Sequence, residues 1–306
     1  MLLSDRRLLS VQALLTALVL LAGVTSWGAA PPKKEAAVAP GGVRANASGE
    51  KNAAVNDLVV ANHILANKEV VDGYGHVSIR NPENPNQYFM ARSMAPGLVT
   101  AADIMSFDLD SNPLAGDTRT SYVERFIHGE IYRVRPDVKA IVHSHSPELI
   151  PFGVTDVPLR PIYHMAVFLE GGVPVYEIRD FRGADDHSML VHTPQLGAAL
   201  ARVLGKSSAL LMRGHGGVVV ANDLPQVVGR SIYLQINARL QAQAITFNRP
   251  INFLAPGESV PPAVSTYGRA WEIWKLEAEQ KSPRPANAAA SRHPRRHSRP
   301  RKPGPG

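Results

Sequence analysis

Residues 139–146 read Lys139-Ala-Ile-Val-His-Ser-His-Ser146, and the rest of the chain is organised around this stretch. Its three apolar residues, two of them β-branched, predict a short buried strand. Side chains two apart on a strand point to the same face, so we expect His143 and His145 to emerge side by side. Imidazole is the commonest metal ligand, and this spacing allows both rings to hold one ion. The alternative is a polar pair that caps the backbone or faces water.

A third histidine, His215, lies between two glycines after the predicted strand 207–212, whose last four residues are apolar. Small neighbours let a metal ion or substrate approach closely, although a Gly-His-Gly sequence alone is more often a tight turn. Three imidazoles from two strands form the ligand set of an open catalytic divalent site. The chain has no cysteine, so histidines and carboxylates are the ligands available to a metal.

Glu124 offers a carboxylate that can serve in two ways. Ser121-x-x-Glu124 matches the helix capping box, in which the glutamate reaches back to the backbone of the cap residue. A buried carboxylate beside a divalent cation could instead act as a ligand or move a proton. The spacing is equally compatible with both roles.

Helix and strand patterns alternate through residues 56–280, which we expect to form one domain. Helices are predicted at 57–68, 124–132, 195–204, 224–247 and 267–279, and strands within 73–80 and at 87–92, 104–109, 139–146, 173–178, 207–212 and 218–221. Several strands are joined by short, hairpin-like connections. The pattern predicts an α/β fold, a single three-layer α/β/α domain with a mixed, largely antiparallel central sheet covered by helices.

The N-terminal residues have the pattern of an exported protein. Residues 1–30 contain Arg6 and Arg7, an apolar run over 8–24 and small residues at 28–30. The run is shorter than the ~20 residues of a membrane span, which favours a cleaved signal peptide over an anchor. We therefore expect a periplasmic or secreted protein. Residues 31–55, rich in Ala, Pro, Gly and Lys, predict a disordered linker.

The C-terminal residues 281–306 carry the excess of positive charge. They hold eight Lys or Arg and no acid, so the formal +7 of the whole chain leaves 7 − 8 = −1 for the remainder. Such a basic disordered tail could contact anionic surfaces such as lipid or nucleic acid. In an exported protein we favour a solvated end without a specific nucleic-acid partner.

These motifs together resemble the class II aldolase/adducin family over residues 57–244. The shared features are Gly75-His-Val-Ser-Ile-Arg80, Glu124 with His128, Arg135-Pro-Asp137, His143-Ser-His145 and His215-Gly216. The resemblance implies that His143, His145 and His215 hold a divalent ion, with Zn preferred and Mn, Fe or Co as alternatives. It also implies that Glu124 is the acid/base.

The chain departs from the family where sugar-phosphate aldolases hold phosphate. Those enzymes have paired serines directly before the catalytic glutamate, whereas this chain has Tyr122 and Val123, and His76 replaces the asparagine of the glycine turn. We therefore expect a non-phosphorylated substrate. Arg80 and Ser93 could bind its carboxylate, because a guanidinium fork suits that group, although a structural role suits Arg80 equally.

The segment from Tyr122 to Ser146, with Tyr163-His-Met165 beyond it, resembles the branch that contains pyridine-dicarboxylate decarboxylases. In that branch the metal serves decarboxylation. His164 could then be a substrate-facing acid, and a satisfied core histidine is an equal alternative.

The resemblance implies a divalent-metal-dependent carbon–carbon lyase that carries out aldol cleavage or decarboxylation on a small hydroxy-carbonyl or carboxylated substrate. Two alternatives remain: an adducin-like assembly module without catalysis, and an iron-dependent oxygenase that uses the same histidines. Family likeness also implies a homo-oligomer, usually a tetramer, in which a neighbouring subunit supplies a tyrosine. Tyr267 is placed for that role, but helix packing is the better explanation of this residue.

Overall fold

The structure, a computed structural model, describes residues 42–281. Its strands are β1 His76–Arg80, β2 Gln87–Ala91, β3 Ile104–Asp108, β4 Ala140–Ser144, β5 Val175–Tyr176, β6 Ala209–Met212 and β7 Gly216–Ala221. Its helices are α1 Gly42–Asn67, α2 Arg125–Val134, α3 Ile150–Val154, α4 Pro194–Leu204, α5 Leu224–Thr246, α6 Pro262–Ser265 and α7 Gly268–Lys281. Short 3₁₀ turns occupy Pro96–Leu98, Ala101–Asp103, Pro147–Leu149, His164–Leu169 and Ile178–Asp180.

The strands form one seven-stranded sheet in the order β3-β2-β1-β4-β7-β6-β5. Every neighbouring pair is antiparallel except β5 and β6, which run parallel. The expected mixed, largely antiparallel sheet is therefore confirmed. The strand predicted at 173–178 is shorter, because only Val175 and Tyr176 pair with β6 before the chain turns away.

Helices cover both faces of the sheet. On β4, Ala140 and Val142 belong to an apolar cluster that also contains residues of α1, α5 and α7. Ile141, between them, belongs to a second cluster on the opposite face with residues of α2 and α4. Successive strand side chains alternate faces, so a strand buried on both sides is apolar throughout. The predicted three-layer α/β/α arrangement is confirmed.

Strand register brings the histidine segments to one edge of the sheet. Ser144, the last residue of β4, lies opposite Gly217 near the start of β7, and His215 directly precedes that strand. Gly216 has a φ of 151°, and any Cβ there would collide with the carbonyl oxygen of Ser144. Glycine at this position therefore allows the two strands to approach closely enough to place His215 beside the end of β4.

The beginning of the domain differs from the sequence prediction. Helix α1 starts at Gly42, inside the segment 31–55 that was expected to be a disordered linker, and Ala54 is buried. The composition of 42–55 is poor evidence for disorder, because Ala, Glu and Lys favour helix and no proline follows Pro40 until α1 has ended. The segments 1–30 and 282–306, expected as signal peptide and tail, lie outside the described residues, as do residues 31–41.

Tyr267 occupies a packing position between two helices. Its ring stacks on Tyr233 of α5, 5.5 Å between ring centroids, and lies directly over Gly229. Its hydroxyl donates a hydrogen bond to the carbonyl oxygen of Met165 at 2.9 Å. Helix packing is therefore the role that the structure gives this tyrosine.

Within residues 42–281, no helix combines the length and the apolar character needed to cross a lipid bilayer.

Candidate metal centre

Three imidazole rings converge at the edge of the sheet where β4 ends and β7 begins. The Nε2 atom of His145 lies 3.1 Å from Nε2 of His143 and 3.0 Å from Nε2 of His215. Two nitrogens about 2.1 Å from one cation and at a right angle to each other lie about 3 Å apart. The three rings therefore fit a shared divalent ion.

Backbone carbonyls orient two of these rings. Nδ1 of His143 lies 3.2 Å from the carbonyl oxygen of Gly217, and Nδ1 of His215 lies 3.0 Å from that of Met189. A neutral imidazole that donates its Nδ1 hydrogen to a carbonyl has a lone pair on Nε2. Both rings thus present a metal-binding nitrogen to the centre of the cluster.

Glu124 completes the cluster from the start of α2. Its Oε2 atom lies 3.3 Å from Nε2 of His143 and 3.4 Å from Nε2 of His215, and the four groups offer ligand atoms within 4.8 Å of one another. Its Oε1 accepts a hydrogen bond from the backbone N–H of Val191 at 2.8 Å. Glu124 is itself the N-cap residue of α2, and its side chain makes no capping hydrogen bond there. Of the two roles that the sequence allowed, the structure excludes the capping box.

The groups of the cluster shift one another's pKa values. Burial favours the neutral form of Glu124, but the adjoining His143 and His215 outweigh it and hold the pKa of that carboxyl well below its usual range. Burial, together with His143 and His215, lowers the pKa of His145 to about 4. At neutral pH the carboxylate is therefore ionised and His145 is neutral. Burial opposes a charge on His215, but Glu124 and the carbonyl oxygen of Met189 outweigh it and raise the pKa of that ring, so a cation competes there with a proton.

A cavity of about 670 Å³ opens beside the cluster. Polar side chains that line it belong to Glu124, His145, His76 and Ser93. The remaining side chains are apolar or aromatic: Tyr74, Met94, Ala95, Tyr122, Val123 and Leu190. This volume lies in the range of small-molecule sites, and the walls suit an apolar body with a polar end directed at the histidines.

Tyr122 lines the cavity and precedes Glu124 by two residues, at a sequence position where the resemblance implies a phosphate-binding serine in sugar-phosphate aldolases. Its ring lies 4.6 Å from that of His76, centroid to centroid, and its hydroxyl donates to the carbonyl oxygen of Met94. Neither Tyr122 nor Val123 carries a free hydroxyl that could serve as a serine does. The wall is therefore poorly suited to a phosphate dianion.

Arg80 does not face this cavity, and the prediction that it binds substrate is corrected. It lies four residues along β1 from His76, about 13 Å away at the usual rise of a strand. Its guanidinium donates hydrogen bonds to the carbonyl oxygens of Val138, Pro85, Tyr132 and Arg135. The side chain is buried, and these carbonyls leave it no free donor pair for a carboxylate.

Of the other two predicted substrate residues, Ser93 and His164, one lines the cavity and one does not. Ser93 is exposed and lines the cavity, in reach of a ligand that fills it. His164 begins the 3₁₀ turn after Tyr163, is exposed, and is not among the residues that line the cavity. His164 is therefore neither a satisfied core histidine nor a wall of the site within one chain.

A buried polar chain behind the cluster was missed by the sequence reasoning. Nδ1 of His76 lies 2.7 Å from Nε2 of His128, whose Nδ1 lies 2.6 Å from Oγ of Ser78. Ser78 in turn bonds Tyr132, 2.8 Å from oxygen to oxygen. Only the register of β1 on β4, with His76 opposite His143, brings these residues behind the site.

Comparison with known proteins agrees with this geometry. The family model described as class II aldolase and adducin N-terminal domain matches residues 56–242. Decarboxylase tropJ of Talaromyces stipitatus is 35% identical over 249 residues, which cover 74% of this chain and 94% of that protein. A 3,4-dihydroxyphthalate decarboxylase of Arthrobacter keyseri is 32% identical over 201 residues, covering 61% and 76% of the two chains.

Solved structures share the fold. An L-fuculose 1-phosphate aldolase from Glaciozyma antarctica has a TM-score of 0.64 at 20% identity, covering 78% of this chain and 94% of that one. An aldolase II superfamily protein from Pseudomonas syringae has a TM-score of 0.63 at 21% identity, covering 78% and 97%. The match of the family model over most of the folded domain, and of a relative over nearly its whole length, leads to one conclusion: this chain belongs to the class II aldolase and adducin family.

Proposed function

We propose that this protein is a divalent-metal-dependent carboxy-lyase that removes carbon dioxide from a small, non-phosphorylated aromatic acid bearing a neighbouring hydroxyl group. The observation that carries the proposal is the convergence of His143, His145, His215 and Glu124 beside a cavity with aromatic and aliphatic walls. The names of the relatives from Talaromyces and Arthrobacter, both decarboxylases, support decarboxylation rather than aldol cleavage.

His143, His145 and His215 would hold the ion, because each presents Nε2 to the centre of the cluster. A divalent cation supplies Lewis-acid stabilisation for negative charge that develops on substrate oxygens. Zinc and iron suit three neutral imidazoles, and manganese and cobalt are the further candidates.

Glu124 would move the proton. Its Oε1 is engaged by the N–H of Val191, so Oε2 is the oxygen available to a substrate. As an ionised base, Oε2 can accept the proton of the substrate hydroxyl and return it to the ring carbon that bears the carboxylate. The bond from that carbon to the carboxylate then breaks, its electron pair returns to the ring, and carbon dioxide leaves. Water supplies the one proton that the net reaction consumes.

The walls of the cavity support an aromatic substrate. Tyr74, Tyr122 and Leu190 offer flat or apolar surfaces, on which an aromatic ring packs well. Their apolar surface also keeps water from the ring carbon during the reaction. A sugar phosphate would instead leave its charge against apolar walls, which costs free energy because the charge loses its hydration.

The proposal is tested by metal analysis and turnover on the same preparations. Protein made with metal available should contain about one divalent ion per chain, and His143→Ala should lose most of it. Glu124→Gln should keep the ion and lose activity by a factor of about 10² or more, because proton transfer contributes that much. His187→Ala removes an exposed histidine outside the cluster and should leave both quantities unchanged.

Dihydroxybenzoate and dihydroxyphthalate isomers, assayed for released carbon dioxide, are suitable first substrates. Wild-type protein without bound metal would sink the proposal, and so would full activity in Glu124→Gln. Turnover that requires dioxygen and ferrous ion would favour the iron oxygenase, and release of an aldehyde would favour aldol cleavage. Assembly without metal or turnover would favour the adducin-like module.

We also propose that the protein is a homotetramer. The support is family membership together with large apolar side chains that a single chain leaves exposed, including Phe247 at the end of α5 and Ile273 and Leu276 on α7. Sedimentation equilibrium of the purified protein should give four times the chain mass, and a monomer at micromolar concentration would contradict this.

Export remains a proposal that rests on the pattern in residues 1–30. Cell fractionation should find the mature protein outside the cytosol, beginning near residue 31. Full-length protein confined to the cytosol would overturn it.

A further inference from the structure

A second cavity lies at the opposite end of the sheet from the metal centre. It has a volume of about 300 Å³ and is formed where β4 and β6 begin, where β7 ends and where α5 begins. Its polar side chains come from Arg135, Asp137, Ser208, Asn222, Gln226 and Arg230, and we call it the basic cavity. Val138, which lines the basic cavity, lies five residues before His143, about 16 Å at the usual rise of a strand.

Arg230 is the unusual residue of the basic cavity. It lies on α5, is half-buried, and donates one hydrogen bond, from Nη1 to the carbonyl oxygen of Val220 at 2.7 Å. In the part of the chain that the structure describes, its Nε and Nη2 form no hydrogen bond and no carboxylate lies within ion-pair distance. Burial lowers the pKa of Arg230 from its usual value, because the charged form has lost water.

The acidic groups nearby are already engaged. Asp137 binds Arg135 through both carboxylate oxygens, at 2.9 Å to Nε and 2.7 Å to Nη2. Asp223 caps α5 by accepting the N–H of Gln226 at 2.7 Å. The cavity therefore contains two guanidinium groups and one carboxylate. Arg230 is the cation without a carboxylate partner, and its guanidinium carbon lies 5.6 Å from the ring centroid of Phe168.

A partly desolvated guanidinium without an anion costs free energy that a bound anion would recover. An arginine fork binds carboxylate and phosphate in the same way, through two parallel hydrogen bonds. The Ser208 hydroxyl and the Asn222 amide line the same space and form no hydrogen bond with another side chain in residues 49–281, so they are available as further donors. The volume accommodates a phosphate or a small dicarboxylate.

We propose that the basic cavity is a binding site for a small oxyanion, a phosphate or a carboxylate, held by Arg230 with Ser208 and Asn222 and separate from the metal centre. This site is independent of the reaction proposed above. Its ligand contacts β6, β7 and α5, and it therefore stabilises the folded state by linkage.

Thermal unfolding in buffers of equal ionic strength tests the proposal, with the full chain in both metal-loaded and chelated forms. Inorganic phosphate and malonate are the two probes, with chloride as the reference. Wild-type protein should show a midpoint that rises with probe concentration and saturates, equally with and without metal. The larger response between the two probes identifies the class of anion.

Three variants give the comparison. Arg230→Gln should weaken binding at least tenfold, and Arg249→Gln removes an exposed arginine outside the cavity and should bind like wild type. Ser208→Asp places a carboxylate in the cavity, so it should raise the midpoint in chloride and abolish the response to either probe. This variant also keeps the test valid if Arg230→Gln folds poorly.

Three results of the anion titrations would overturn the proposal. They are no response of wild type to either probe, equal responses in the Arg230 and Arg249 variants, and a response that disappears on chelation, which would place the anion at the metal. Loss of oligomer in Arg230→Gln without anion binding in wild type would also overturn it, because a carboxylate of a second copy would then be the partner.

Discussion

At the scale of single residues, the backbone decides what a charged or polar side chain can do. Carbonyl oxygens of Gly217 and Met189 orient His143 and His215 so that Nε2 is free for a metal. Four other carbonyls occupy the guanidinium of Arg80 and remove it from substrate binding. Sequence patterns name the side chain in each case, but which carbonyl it meets depends on chain segments far apart in sequence.

Arg80 provides a prediction at this scale. Arg80→Gln should lower the free energy of unfolding by about 3 kcal/mol or more, because it removes a buried cation and leaves several carbonyl groups without donors. The metal content of the folded fraction should stay unchanged. Urea denaturation and metal analysis measure the two quantities.

Arg92→Gln is the matched control. Arg92 is partly exposed and makes one ion pair, with Asp103 at 2.8 Å, so its loss should cost less than about 1 kcal/mol. An Arg80→Gln variant that was as stable as the control but inactive would contradict this result, and would indicate that Arg80 binds substrate after all.

At the scale of elements, helix α2 and strand β1 build the floor of the site together. Glu124, His128 and Tyr132 are spaced by four and share one face of the helix. His76 and Ser78 share the face of β1 that meets it, since residues two apart point the same way. The helix period and the strand period thus combine to bury a continuous polar chain behind Glu124. Each period is visible in sequence, whereas their pairing is not.

Tyr267, which directly precedes α7, packs its ring against Gly229 of α5. This close contact gives a prediction at the scale of elements. A Cβ on Gly229 would overlap the ring of Tyr267. Gly229→Ala should therefore destabilise the protein by about 1–3 kcal/mol, the usual cost of overpacking. The fluorescence of the buried Trp271 and Trp274 on α7 should shift to the red at lower urea concentration.

Gly268→Ala is the comparison for this variant. A Cβ at Gly268, the first residue of α7, has nothing within 4 Å. Its stability should stay within about 0.5 kcal/mol of wild type. Equal stability of the two variants would show that α7 does not depend on close packing at Gly229.

At the scale of the whole molecule, buried histidines couple the fold to pH. Burial, together with the nearby His143, lowers the pKa of His128 to about 3, and His145 is lowered to about 4. In the unfolded chain a histidine takes up a proton below about pH 6.5. Between these values the unfolded state binds more protons than the folded state, so stability falls as pH falls.

The prediction is a steep acid dependence in the metal-free protein. The free energy of unfolding should decline from about pH 6.5 to pH 4, and each histidine that stays neutral only in the folded state contributes up to about 1.4 kcal/mol per pH unit. His128→Asn should reduce the slope by that amount, whatever its effect on stability at neutral pH. Urea titrations at several pH values measure the slope.

The exposed His187 supplies the control for this measurement. His187→Asn should retain the slope of wild type. A slope in His128→Asn that equals that of wild type would mean that His128 does not stay neutral in the folded protein.

The sequence by itself determined the parts of this protein that depend on local periodicity. Runs and alternations of apolar residues located the strands, including the one that leads into His143 and His145, and spacing motifs nominated His215 and Glu124 for the same cluster. The three-layer fold followed from the succession of these elements. Composition misled at 42–55, where residues that suit a linker also suit the helix that forms.

Only the tertiary structure decided what each nominated residue touches. It placed Arg80 among carbonyl groups, brought Val191 to Glu124, put His76 and His128 behind the cluster, and left Arg230 without an acid in a second cavity. These contacts join segments ten to about seventy residues apart, and for Arg80, Glu124 and Arg230 the partner is a backbone group, which every residue carries. No pattern of side chains in the sequence identifies such a partner. The strand register and the helix packing of the tertiary structure determine it.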